Sequence, residues 1–156
     1  MSGILVAGVG NRDRRDDGAG LEVVRRAALR VMPGSESPRF LEVPGALEFL
    51  DLWPGSRFCL VVDAVRTGAA PGTVHSLNLG ANPPSWTRGG STHGLGVAEA
   101  LLLAQQLGRA PDKVLLVGIE GGEFGQGVGL SPAVERAVDP AAGRVWELLG
   151  ELLPCA

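Results

Sequence analysis

Cysteine is scarce in this 156-residue chain, with Cys59 and Cys155 the only two. A pair so widely separated forms neither a disulfide framework nor a zinc-ligand pattern. Cys59 lies inside an apolar run and reads as core filler. Cys155 stands next to the last residue. No apolar stretch approaches the roughly 20 residues that a bilayer-crossing helix needs. No basic leader with a cleavage site opens the chain. Excess positive charge is absent too. Lys and Arg total 14 against 17 Asp and Glu, a net charge of -3, which gives no general case for nucleic-acid binding. Nucleophile and metalloprotease motifs are missing, with no G-x-S-x-G elbow and no H-E-x-x-H. Histidine is limited to His75 and His93. These absences leave a cytoplasmic globular protein, one domain over residues 1–156, with no membrane or nucleic-acid partner. Its 45% hydrophobic and 20% charged composition is ordinary for that class.

Glycine is plentiful, and the first glycines fall in the stretch around which the chain is organised, ILVAGVGNRDRRDDGAG at 4–20. Ile4-Leu5-Val6-Ala7 is short enough for a buried strand. Gly8-Val9-Gly10-Asn11 breaks it. An acidic, arginine-flanked loop follows, with Asp13, Asp16 and Asp17. After Gly18 a helix is expected, with Leu21, Val24, Ala28 and Val31 on one face. Strand, glycine turn and helix open an α/β domain, and such domains place ligands at the carboxyl ends of their strands. A dinucleotide fingerprint, G-x-G-x-x-G, would need glycine at position 13, where Asp13 stands. Carboxylates in that loop would repel a phosphate, although Arg12, Arg14 and Arg15 balance part of the charge. The better reading is Asp17 or Asp16 held ionised near a helix N-terminus and suited to a cation. The competing role for either residue is a helix cap.

Further along, Arg39–Val43 reads as a short strand and Ala46–Leu52 as a short helix. The run Phe58–Val62, ending on Asp63, is a strand covered on both faces, typical of a parallel sheet. Thr73–Leu79 is a strand near a sheet edge, with His75 structural or exposed. Ser91 or Thr92 would cap the next helix, whose face is Leu95, Ala98, Leu102 and Gln106. His93 would then lie in its first turn. The dipole there favours the neutral, metal-binding imidazole. Lys113–Ile119 is another buried strand, followed by Glu120. Ser131-Pro132 starts the last helix, which carries Val134, Val138, Val145, Leu149 and Leu152 to about Leu153. Pro140 must kink or break it. Five strands alternating with about four helices imply a three-layer α/β/α sandwich with a mainly parallel five-stranded sheet. Asp17, Asp63 and His93 then share the carboxyl edge, where two carboxylates and an imidazole suit a divalent cation.

Four segments carry a resemblance: GVGNRDRRDDGAG at 8–20, LVVDAV at 60–65, STHGLG at 91–96 and LLVGIEGGEFGQGVGLSPAVERAVDPA at 115–141. In order and spacing the chain resembles the hydrogenase maturation endopeptidases, which remove a C-terminal peptide from the large-subunit precursor of nickel–iron hydrogenases. The resemblance implies a phosphorylase/hydrolase-like α/β/α fold, and a monomer acting on that precursor. It also implies that Asp17, Asp63 and His93 are both the metal-binding and the catalytic residues. They would recognise nickel carried by the precursor, or another divalent metal in its place. A conventional route would use Asp17 or Asp63 as the base that activates water. The alternative in another class is a non-catalytic nickel-site checkpoint or chaperone with the same three ligands.

The chain departs from the family pattern in four places. Asp17 stands where Glu is common, one methylene shorter. Leu41-Glu42-Val43-Pro44-Gly45-Ala46 replaces an Asp-Gly-Gly-Thr type turn. Gly121 replaces the usual proline after Glu120. Arg12, Arg14 and Arg15 add charge to the first loop.

Overall fold

Residues 3–30, 37–80 and 96–152 are described by the computed structural model. Five strands form one sheet: β1 (Ile4–Val9), β2 (Arg39–Val43), β3 (Phe58–Val65), β4 (Val74–Asn78) and β5 (Lys113–Glu120). Their spatial order is β2-β1-β3-β5-β4. The first three and β5 run parallel, and β4 closes one edge antiparallel to β5. Every residue of β1 is buried, as a continuous apolar run between two helical layers requires. β4 alternates intermediate and exposed positions, which suits a strand at the rim.

Side chains alternate across the pleat, and the two faces hold separate cores. Ile4, Val6, Leu60, Val62, Val117 and Ile119 pack under α1 (Ala19–Ala28) and α4 (Pro132–Leu152). Leu5, Ala7, Cys59, Val61 and Leu116 pack on the other side, with Phe49 of α2 (Phe49–Leu52), Trp53 and α3 (Val97–Gln106). The expected three-layer sandwich is the architecture observed.

Three local expectations change. The buried residues of α1 are Ala19, Gly20, Leu21, Val23, Val24 and Ala27, so Leu21 and Val24 sit as expected while Ala28 is exposed, and Val31 lies outside the described residues. Gly20 sets this rotation by lying flat against the sheet. A Cβ there would collide with the Val62 carbonyl and come within 2.7 Å of the Val9 carbonyl. The start of α3 is Val97, with extended Gly96 before it, and the expected caps Ser91 and Thr92 lie outside the described residues. Its buried stripe includes Val97, Ala100, Leu101 and Ala104, and Leu102 is 51% exposed. Pro140 does not break α4, which continues from Pro132 to Leu152. Val134 and Val138 before it, and Ala141, Val145 and Leu149 after it, all stay in one core. Packing on the sheet therefore holds both halves of the helix against the missing N–H.

Gly10 does for the loop what Gly20 does for the helix. Its φ is 152°, and a Cβ would run into the carbonyl of Asp17. The chain can therefore fold straight back from β1 and bring Asp17 to the strand mouth. Gly20→Ala tests the close packing. Overpacking costs about 1–3 kcal/mol, and because both obstructing atoms are backbone the loss should reach the upper end. The midpoint of urea unfolding, with m unchanged, is the measure.

Candidate active site

The four parallel strands release their loops at one edge, and four carboxylates gather there. Two of them are committed to holding loops. Asp16 is 0% exposed. It accepts the backbone N–H groups of Gly122 (2.8 Å) and Glu123 (2.8 Å), the N–H of Ser131 (2.7 Å) and the Ser131 hydroxyl (2.8 Å). Burial alone would raise its pKa. The bonds from Ser131, Gly122 and Glu123 outweigh burial and hold it below the ordinary aspartate value. Main-chain bonds join the same two loops: Arg15 N–H to Gly127 O, Gly127 N–H to Asp13 O and Asp16 N–H to Glu123 O. Arg15 takes a φ of 51° to make this joint.

Glu120, 2% exposed, performs a similar task after β3. It accepts the N–H of Thr67 (2.8 Å) and the Thr67 hydroxyl, and His75 Nε2 lies 3.1 Å from its Oε1. Burial raises its pKa, and the bonds from Thr67 and His75 more than reverse that. His75 is thus structural, as expected. Sequence reasoning left Asp16 and Asp17 interchangeable and gave Glu120 no partner. Only the position of Glu120, closing a buried strand, hinted at its role.

Asp17 and Asp63 remain. Asp17 is partly buried in the 3-10 turn Arg15–Gly18, and its Oδ2 accepts the N–H of Asn11 at 3.1 Å. Asp63 stands in β3 opposite Gly118, which is in turn opposite His75 of β4. Asp63 is intermediate in exposure, and its carboxyl group is partly desolvated. That burial, with the charge of Asp17 second, pushes its pKa well above the ordinary aspartate value, and an Ala64 N–H offsets only part of the rise. The two carboxylates are therefore electrostatic neighbours, and a cation between them would relieve the repulsion. Carboxylate donors suit a hard or borderline divalent ion.

His93, the third predicted site residue, lies outside the described residues. Among those described, no three His, Cys, Asp or Glu form a metal-holding group. The described chain resumes at Gly96, three residues after His93. The far end of α3 leads into Gly108–Ala110, which lines a cavity with Pro54, Gly55 and Ser56 just before β3. This cavity marks the amino edge, so α3 starts toward the carboxyl edge.

Comparison with known proteins identifies the family and the fold. A family model described as hydrogenase maturation protease matches residues 45–148. The hydrogenase 2 maturation protease of Escherichia coli (strain K12) is 30% identical over 153 residues, covering 95% of this chain and 91% of that protein. The structure of the hydrogenase maturating endopeptidase HybD from E. coli superposes with a TM-score of 0.79 at 29% identity, covering 97% of this chain and 93% of that one. A [NiFe] hydrogenase maturation protease, HycI, from Thermococcus kodakarensis KOD1 shares the fold, with a TM-score of 0.72 at 22% identity and coverage of 94% and 92%.

Proposed function

The chain belongs to the hydrogenase maturation protease family, and from that premise we propose that Asp17, Asp63 and His93 hold the nickel of a large-subunit precursor while its C-terminal peptide is cut. The protein is a hydrolase of the endopeptidase class. The observation that carries the metal reading is the pairing of Asp17 with Asp63. The protein sets two acidic groups where ionising both is unfavourable, although Asp16 and Glu120 show that it can bind carboxylates with its own N–H and O–H groups. An arrangement so costly to leave empty suits an incoming cation. Precursor-borne nickel is therefore substrate, and its arrival would favour the ionised form of Asp63.

Nickel would supply a positive charge beside the scissile carbonyl. The chain's own residues do the rest. One of Asp17 and Asp63 takes a proton from the attacking water, and the leaving amine recovers it. His93 would complete the donor set. No helix among the described residues is long and apolar enough to cross a membrane. Cys59 is buried as a free thiol, in keeping with a reducing cytoplasm, where we take the enzyme to act as a monomer.

The test is the electrophoretic size of the large subunit after incubation with the protein. Nickel-loaded precursor should shorten, and nickel-free precursor should not. Calorimetric titration with nickel, zinc or cadmium should show one shared, modest site that weakens in acid. It should be lost in His93→Ala. Processing of nickel-free precursor at the same rate would defeat the recognition reading.

A further inference from the structure

Beyond the two carboxylates, the same edge carries a guanidinium set on an aromatic ring. Arg66 is exposed, just past the end of β3 and three residues after Asp63. Its Cζ lies 3.8 Å from the centroid of Phe124. At about 3.3 Å per extended residue it sits roughly 10 Å along the strand from Asp63. Among the described residues, Arg12, Arg25, Arg26, Arg57, Arg109 and Arg144 each pair with a carboxylate. Arg66 pairs with none of the described carboxylates; its contact is the ring.

The ring itself is held from several sides. Arg14 Nη2 donates to the Phe124 carbonyl at 3.0 Å. Asp16 holds the N–H of Glu123, the preceding residue. Gly121 N–H donates to the Val65 carbonyl at 3.0 Å, joining this loop to the end of β3 beside Arg66. Phe124 also lies directly over Gly121, where a Cβ would be 2.8 Å from its Cε2 and closer still to Cζ. Proline, the residue the sequence resemblance leads one to expect at 121, would therefore expel the ring. Gly121, Phe124 and Arg66 are one arrangement: the glycine admits the ring and the ring seats the guanidinium.

Stacking fixes the plane of a guanidinium and leaves its edge N–H donors directed outward, the geometry that takes a carboxylate in two parallel hydrogen bonds. Pre-ordering reduces the entropy lost when a ligand is gripped. We propose that Arg66, seated on Phe124, is a specificity subsite for a carboxylate of the precursor peptide, about three residues along the chain from the bond that is cut. The subsite rests on the endopeptidase reading and adds to it a charge preference in the substrate. The carboxylate is either an acidic side chain or the α-carboxylate of the C-terminal peptide.

The experiment measures steady-state processing of nickel-loaded precursor by wild type, Arg66→Gln, Arg66→Lys and Phe124→Leu. Wild-type cleavage establishes the endopeptidase reading separately. Arg66→Gln should raise KM about 10- to 100-fold, the range of a charge-assisted hydrogen bond, with kcat within about twofold. Arg66→Lys and Phe124→Leu should fall between, since each keeps the charge and loses the stack. Precursor with Asp and Glu of its C-terminal segment changed to Asn and Gln separates the two sources from precursor ending in an amide. Whichever precursor no longer distinguishes wild type from Arg66→Gln carries the ligand. An unchanged KM in Arg66→Gln overturns the proposal. So does a fall in kcat at constant KM, or a KM rise that persists undiminished on both altered precursors.

Discussion

Asp63→Asn should leave the large subunit at its longer, unprocessed size while the metal-free enzyme becomes no less stable than wild type. The two effects share one cause. Burial and the charge of Asp17 raise the pKa of Asp63 above its unfolded value, so the native state binds a proton that the unfolded chain releases. With a raised folded pKa, the group's contribution to stability is complete below the unfolded value near 3.9. It is lost as pH rises through the folded pKa. Above that folded pKa the ionised carboxylate is a burden on the fold, and asparagine removes it. Activity moves the other way, because the amide can neither accept a proton nor neutralise a cation. Losing a general base alone costs roughly 10²–10⁴-fold. Asp17→Asn should lose processing to a similar extent. Stability against pH in chelator, set beside precursor size, checks both halves. Equal processing by Asp63→Asn and wild type would remove Asp63 from the mechanism.

Asp16→Ala should act in the opposite sense, through the fold. Three N–H donors and a hydroxyl converge on this one carboxylate. Each buried donor left without a partner costs about 1–3 kcal/mol. Gly122 and Glu123 are exposed enough for water to reach them, so the total should be about 2–4 kcal/mol rather than the full sum. Because the folded pKa of Asp16 is depressed, its stabilisation is present above the unfolded value near 3.9. It is lost as pH falls through the folded pKa. The gap between wild type and Asp16→Ala should therefore be widest near neutrality and narrow in acid. Urea midpoints across that range measure it, and amide exchange at Gly122, Glu123 and Ser131 should speed up in the variant. A gap that does not change with pH would show that the charge of Asp16 is not what holds the loop.

The helix faces show where reading the chain reaches its limit. Leu21, Val24 and Ala98 are buried as expected, whereas Ala28 on α1 and Leu102 on α3 lie beside the buried stripe. Periodicity fixes the repeat but not the rotation, which close contact decides. Gly20 against the Val9 and Val62 carbonyls is a backbone meeting that no hydropathy pattern records. Pro140 breaks a helix by its local rule, and core contacts on either side of it keep α4 continuous from Pro132 to Leu152.

The sequence by itself determined the strand set, the parallel core and the edge strand, since doubly covered strands must be continuously apolar and rim strands need not be. It also marked Asp63 and the pair Asp16 and Asp17, because the last part of β3 and the loop after β1 open at the carboxyl edge of such a sheet. Asp16 and Asp17 are adjacent and chemically identical, and no pattern distinguishes them. The tertiary structure decided between them. Asp16 turns inward to donors 106–115 residues away in the chain, while Asp17 lies close enough to Asp63 for its charge to raise that residue's pKa. Hydrogen bonds across such separations depend on how the β1 and β5 loops meet, and that meeting is set by packing of the whole sheet.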